Sequence, residues 1–249
     1  MFLSLLHVNV GDDADRPRPG RLWLRNLYHV HQRLCMAFPS ASRKQDDSNF
    51  LKPFVPDDFA QKQVHVTRRT DSGFLFRIDP QPGGRVVILV QSAIEPAWDY
   101  AFHNAGHLLA APPETKTVEP RFELGQRLRF RLLANPTKKI ETLSKEERID
   151  KVPKRHGRRV PVATAELRKW LSRQGQRSGF CIKDDPDTQA GYVCVNKSRE
   201  AGGAQRLWSV RYEGVLEVAD PNSFSEALVR GIGPAKAFGF GLLSLAPVR

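Results

Sequence analysis

The chain has 249 residues, with 39 Lys and Arg against 27 Asp and Glu, a formal net charge of +12, and 40% hydrophobic residues. That composition supports a packed core and excludes a wholly disordered chain. The length suits one large domain or two of ~100–150 residues. The charge favours phosphate-rich partners, nucleic acid or anionic lipid, without choosing between them.

A membrane or secreted protein is not expected. The start, MFLSLLHVNV, lacks a basic leader, is followed by Asp12, Asp13 and Asp15, and does not read as a signal peptide. No apolar run approaches the ~20 residues of a spanning helix. Cys35, Cys181 and Cys194 are odd in number, far apart and without a CxxC, so a disulfide framework and a structural zinc site are not expected. They read as small hydrophobes in a reducing, cytoplasmic protein.

In chain order, Phe2 to Val10 reads as a buried strand, and Asp12 to Gly20, with Pro17 and Pro19, as a loop. Arg21 to Phe38 reads as one helix, with Leu24, Leu27, Leu34 and Phe38 on a single stripe and Pro39 as its stop. Residues 40–69 are polar and without period, an irregular insertion. Phe74 to Ile78 alternates as a half-buried strand. The turn Asp79–Gly84 leads into Val86–Val90, continuously apolar and therefore central in its sheet. Ala97 to Leu109 is expected to be helical. Gln126 to Ala134 alternates again, with Leu128, Phe130 and Leu132 on one face and Arg127, Arg129 and Arg131 on the other. Strand, helix, strand, strand, helix, strand is the ferredoxin-like order.

The second half repeats the theme after a basic connection, Asn135 to Lys154. Arg159–Val162 is a strand, Ala163–Arg173 a helix, and Phe180–Lys183, Gly191–Val195 and Arg206–Val218 are strands. A helix at Pro221–Arg230 has Asp220 as N-cap and Gly231 just past its end, and Leu242–Leu245 closes the unit. The expected fold class is α+β, two tandem ferredoxin-like domains at 1–135 and 136–249.

Three features bear on chemistry. On the first helix Tyr28 and His31 are neighbours at i, i+3. Periodicity leaves two readings of His31 open, a core histidine among leucines or a general acid–base. Tyr28 would then steer a proton or donate to a phosphate oxygen. His29 faces solvent. The second feature is the stretch from Arg127 to Arg159, twelve Lys and Arg against four carboxylates, a local excess of +8. The candidate phosphate contacts there are Arg127, Arg129, Arg131, Lys138, Lys139, Arg158 and Arg159, joined by Lys197 and Arg199, next to Arg206 in a glycine-rich hairpin loop. The third is the run GIGPAKAFGFGLLSLAP from Gly231 to Pro247, which suits either close packing or a backbone approach to a ligand, with Lys236 placed to meet a phosphate. No P-loop, HExxH, GxSxG or paired-carboxylate motif occurs. A metal-dependent nuclease needs a carboxylate cluster. RNA brings its own nucleophile, the 2′-OH.

The start MFLSLL, the helix LYHVHQRL, the segment QRLRFRLLANPTK, and above all EGVLEVADP followed by the glycine run resemble the CRISPR-associated CasE family of the RAMP superfamily. The resemblance runs in order from Met1 to Pro247. It implies metal-independent cleavage of CRISPR repeat hairpins in precursor RNA. The 2′-OH attacks the adjacent phosphate and leaves a 2′,3′-cyclic phosphate and a 5′-OH. His31 and Tyr28 match the family's catalytic pair. It implies no cofactor, and the partners are the repeat RNA and the other Cascade subunits. The hairpin around Lys197 and Arg199 matches a groove-binding loop in some relatives. Where some members carry Lys or His one turn beyond the catalytic histidine, this chain has Cys35 and Met36. Arg33 or Lys236 stands in as third contributor. The alternative is a non-catalytic RNA-binding scaffold of the same architecture.

Overall fold

A computed structural model describes residues 1–11, 18–47, 49, 65–66, 73–140, 158–196 and 204–248. Most of the expected insertion 40–69, the connection 141–157, and Lys197 and Arg199 lie outside the described residues.

The first sheet contains β1 (Phe2–Val8), β2 (Phe74–Pro80), β3 (Val86–Ser92) and β4 (Glu114–Thr117), in the antiparallel order β2-β3-β1-β4. Leu6 pairs with Ile88, and Ile78 with Ile88, so even-numbered residues share one face. That face carries Leu6, Val8, Phe76, Ile88 and Val90 into a core with Val30, Leu34, Phe38, Trp98 and Phe102 of the helices. The other face is covered too. Leu75, Arg77, Val87 and Gln91 are buried, Gln91 Nε2 donates to the carbonyl of Leu228 (2.7 Å), and Arg77 donates to Ser244 Oγ (2.9 Å). A strand sandwiched on both faces has no polar side to show, which is why Val86–Val90 reads as an unbroken apolar run.

The expected helix 21–38 is two helices, α1 (Pro19–Leu24) and α2 (Leu27–Cys35). Asn26 breaks it: its backbone is extended and its Oδ1 accepts from the amide of Tyr28 (3.1 Å), starting a fresh helix. Short amide side chains compete with the helical ladder in this way. Inside the segment expected to be irregular, Ser40 caps a further short helix, α3 (Ala41–Asp46). The expected helix 97–109 shrinks to α4 (Trp98–Phe102) and a 3₁₀ turn at Gly106–Leu108.

The second sheet corrects a strand assignment. The run expected to close the first sheet is β5 (Arg127–Ala134), and it pairs in the other sheet, with β10 (Ala204–Val218) on one side and β11 (Leu243–Pro247) on the other. The closing strand of the first sheet is β4, the sequence ETKT, exposed at every position and so without alternation to read. The other edge of β10 is shared by β8 (Phe180–Ile182) and β9 (Asp187–Asn196), end to end. Residues 159–162, expected to open the second unit, instead belong largely to β7 (Arg158–Pro161), which forms a separate ribbon with β6 (Thr137–Ile140). With α5 (Leu167–Arg177) and α6 (Pro221–Arg230), the order becomes β5-α5-β8/β9-β10-α6-β11. Each sheet thus has its fourth strand beside its first and its second beside its third, the ferredoxin-like permutation. The fold is α+β with this unit twice. In the second core, Leu128, Phe130, Leu132, Tyr212 and Leu216 pack against Trp170, Leu171, Phe224 and Leu228. The α6 caps fall as the sequence indicates: Asp220 Oδ1 accepts from the amides of Asn222 and Ser223, Pro221 leads, and Gly231 ends the helix at φ 77°.

Candidate active site on helix α2

Helix α2 sits in the seam between the two sheets' cores. One side is the first core, through Val30 and Leu34. The other packs on the glycine-rich segment and the β9/β10 hairpin. There Val195, Leu207 and Phe240 form a small buried cluster that Leu27, Tyr28, Leu133, Ala235 and Phe238 close over. The glycines make this possible. Gly241 has φ 90° and a Cβ there would lie 2.8 Å from the carbonyl oxygen of Ile232. That tightness lets Ile232 N–H donate to Gly241 O (2.9 Å) and Gly241 N–H to Leu133 O (2.7 Å), pinning the loop to the end of β5. The run packs closely on α2 and forms a cradle under it. Lys236 opens the 3₁₀ turn Lys236–Phe238 that touches α2.

His31 is partly exposed, on the rim of the first core. Its ring stacks on Phe74 of β2 (centroids 5.6 Å, 24° between planes) and more distantly on Phe76 (6.4 Å). Phe74 is backed in turn by Phe38 (5.0 Å, 18°). His31 Nε2 lies 3.5 Å from Sγ of the buried Cys35, one turn on. Tyr28 is half-buried on the hairpin side, and His29 is exposed, as its helical position requires. Arg33 is engaged elsewhere. Its Nη1 donates to Ala101 O (3.0 Å) and Asn104 Oδ1 (3.3 Å), tying α2 to the C-terminal end of α4, and burial lowers its pKa from the ordinary guanidinium value. It remains a cation at neutral pH, but its hydrogen bonds are to the protein.

The basic residues are spread over two surfaces. Arg127, Arg129 and Arg131 line the outer face of the second sheet, opposite its helices, in register with Glu217, Val215 and Glu213. Arg131 pairs with Glu213 (3.0 Å), which also takes Arg211 (3.1 Å), and Arg127 reaches Asp184 at 3.8 Å. Lys183 pairs with Glu217 (2.9 Å), and that hydrogen bond raises its pKa. Arg129 is exposed and faces Val215 rather than a carboxylate. The carboxylates of β10 were the part that sequence reading missed, because they lie some eighty residues from the arginines they meet and only strand register brings them opposite. Lys138 and Lys139 lie exposed on β6; Lys138 pairs with Glu166 (3.2 Å), and Arg159 on β7 donates to Thr137 Oγ1 (3.2 Å). Arg158 is in β7, its side chain outside the described residues. Among the described residues no helix is long and apolar enough to cross a membrane, and no three His, Cys, Asp or Glu side chains are grouped to hold a metal.

A histidine and a tyrosine on a helix seated on a glycine-rich cradle between two ferredoxin-like units define a CRISPR-associated protein of the RAMP type. The family described as CRISPR associated protein matches residues 1–247, and the chain belongs to it, on the CasE branch. It is 35% identical over 196 residues to the CRISPR-associated endoribonuclease Cse3 of Thermus thermophilus, covering 73% of this chain and 85% of that protein. It is 32% identical over 229 residues to the CRISPR system Cascade subunit CasE of Escherichia coli (strain K12), covering 92% and 96%. The solved structure of Cse3 bound to a 19-nucleotide RNA superposes with a TM-score of 0.70 at 30% identity, over 99% of this chain and all of the other.

Proposed function

We propose that this protein is the endoribonuclease that cuts CRISPR repeat hairpins in precursor RNA and then stays on its product as a Cascade subunit. The observation that carries the reading is the Tyr28/His31 pair on α2, in a chain whose fold follows that of an RNA-bound endoribonuclease. The relatives are named as an endoribonuclease and as a Cascade subunit, and both roles are extended here to this chain.

His31 is the group that moves protons. An imidazole near neutrality can take the proton of the attacking 2′-OH or supply one to the departing 5′ oxygen. Tyr28, half-buried one turn before His31 on the same helix, positions the nucleophile or donates to a non-bridging phosphate oxygen. Attack of the 2′ oxygen on phosphorus closes the 2′,3′-cyclic phosphate as the bond to the 5′ oxygen breaks, and the proton lost by the first oxygen is balanced by the one gained by the second. No metal is needed for these steps. Arg129, with Arg127, Arg131, Lys138, Lys139, Arg158, Arg159, Lys197, Arg199 and Lys236, is assigned to the phosphates of the stem. Arg33 is assigned to holding α2 in place. Two ferredoxin-like modules meet at this site, the second opening with β5.

The test is cleavage of the cognate repeat hairpin in chelator. Wild type is expected to cut at full rate and leave a cyclic phosphate, and His31→Ala to bind the RNA with near-unchanged affinity and leave it whole. Loss of wild-type activity in chelator removes the metal-free mechanism. An intact hairpin, tightly bound by wild type, makes the protein a scaffold.

A further inference from the structure

We propose that the outer face of α5 binds the phosphate backbone of the single-stranded RNA that flanks the repeat hairpin. The inference rests on the nuclease reading above and extends its substrate beyond the stem.

One face of α5 is buried in the second core, where Leu167, Trp170 and Leu171 pack with Tyr212 and Leu216. The opposite stripe carries Lys169, Ser172, Arg173 and Gln176, the i, i+3, i+4, i+7 spacing of a single helix face, with Arg177 at its margin one turn beyond Arg173. Lys169, Arg173 and Arg177 are exposed, and the helix sequence LRKWLSRQGQR holds no carboxylate. Arg168, on the flank, has an exposed partner in Asp185 (3.4 Å). The other three cations have no ion-pair or hydrogen-bond partner among the described residues.

Folding alone does not ask for this stripe. The first turn of a helix is its positive end and favours acids, yet α5 has none there and places Arg168 and Lys169 instead. Lys169 and Arg173, and Arg173 and Arg177, are like-charge pairs at i, i+4, which repel. The outer sheet face differs, since Arg127 and Arg131 there meet Asp184 and Glu213. A ligand that brings negative charge relieves the repulsion on α5. Its three cations succeed one another at about 6 Å along the helix axis, steps that consecutive phosphates of one strand can follow. The arginine fork takes two phosphate oxygens at once, and Gln176 between them can meet a 2′-OH. A lipid surface would need apolar side chains to insert, and those of α5 are in the core.

The place of α5 selects the strand. It lies on the helix-covered face of the second sheet, whereas α2 and Arg129 lie on the other face. A stem held at His31 and Arg129 is across the sheet from α5, so the ligand of α5 is a strand that has left the stem. The β6/β7 ribbon joins the two surfaces: Lys138, assigned above to the stem, pairs with Glu166 immediately before α5 (3.2 Å).

The test measures affinity for an uncleavable hairpin, with hydrogen in place of the attacking 2′-OH. The hairpin is bare or carries about ten unpaired nucleotides on its 5′ or its 3′ side, a length that a strand-tracking surface covers. The two extended arms tell which flank is bound. Wild type is expected to bind one extended RNA about tenfold more tightly than the bare hairpin at low salt. Its slope of log affinity against log salt should be steeper by about two, from three contacts at ~0.7 each on a single strand. The triple variant Lys169→Gln, Arg173→Gln, Arg177→Gln should lose both differences, yet bind the bare hairpin and cut the cleavable one as wild type does. A control that neutralises three other exposed cations, Arg85→Gln, Lys116→Gln, Arg121→Gln, should keep the gain from the flank, which separates contact from net charge. A flank that adds nothing in wild type overturns the proposal and leaves α5 to an acidic protein partner. Equal losses on bare and extended hairpins, or the same loss in the control, overturn it too. A wild type that leaves the cleavable hairpin whole defeats the nuclease reading instead, and flank binding, measured on uncleavable RNA, is decided separately.

Discussion

The two ferredoxin-like units share one strand order and use it differently. The first unit has short strands, buries both faces of its inner strand β3, and carries Tyr28 and His31 on a helix. His31 meets Phe74, Phe76 and Cys35. The second unit has a fifteen-residue strand, β10, long enough to take two partners along one edge; one sheet face is covered by α2 and the glycine-rich segment at one end and exposed around Arg127 and Arg129 at the other. The exposed end sets Arg127 and Arg131 opposite Glu217 and Glu213, with Arg129 opposite Val215. One unit thus carries the histidine proposed for catalysis, and the other a charged surface whose cations are partly neutralised by its own carboxylates. A formal +12 spread over the chain is therefore a poor guide to where a phosphate backbone sits. What matters is which cations strand register leaves without a carboxylate.

The join between the units offers the largest effect. Arg77 is buried on β2, makes a two-pronged pair with Asp79 (2.7 and 2.8 Å), and reaches across to Ser244 of β11. Removing one partner of a buried pair strands the other, at about 3–5 kcal/mol. Asp79 keeps 16% exposure, so Arg77→Ala should fall near ~3 kcal/mol, the lower end of that range, in urea unfolding. Cleavage should drop as well, because the same cross-unit contacts hold the cradle under α2. Unchanged stability would mean that the units are fixed by apolar packing alone.

The charged face gives a smaller and more discriminating effect. Arg129→Ala should weaken hairpin RNA binding and reduce the slope of log affinity against log salt by about one phosphate contact. Glu213→Gln releases Arg131 and Arg211 and should move affinity the other way, a few-fold tighter at low salt. Both pairs are more than a third exposed on the arginine side, so the stability change should stay below ~1 kcal/mol. Equal, unaltered binding in both variants would move the RNA off this face.

The smallest effect concerns α6. Hydrogen bonds from Ser223, side chain first and then backbone, with the Asn222 amide as a lesser contribution, hold the Asp220 carboxyl below its usual pKa. A carboxylate depressed in the folded state contributes stability that is present above its unfolded pKa and is lost as pH falls through the folded one. Asp220→Asn keeps a capping oxygen without the charge. It should flatten the acid side of the stability–pH curve, read as the urea midpoint between about pH 7 and pH 3, while changing little at neutrality. A variant curve parallel to wild type would show that the cap's charge does not contribute.

Local patterns in the sequence carried a good deal of this. Alternation located β2 and β5, and the caps Asp220, Pro221 and Gly231 set both ends of α6. The Tyr28/His31 pair and the outward turn of His29 followed from helical spacing. The break at Asn26 was written in a residue type that favours caps, but an apolar stripe running through it masked the signal. The edge strand β4 was not legible because an exposed strand needs no hydrophobic period.

What the sequence determined by itself is what depends on neighbours a few residues away: helix faces, strand alternation, caps, and the presence of a histidine–tyrosine pair. Tertiary structure decided which sheet β5 joins, which arginines face glutamates, and that Cys35 and Phe74 meet His31. The physical reason is the same each time. Backbone pairing and side-chain packing between distant segments depend on register, and a strand that alternates correctly fits more than one partner until the rest of the core selects it.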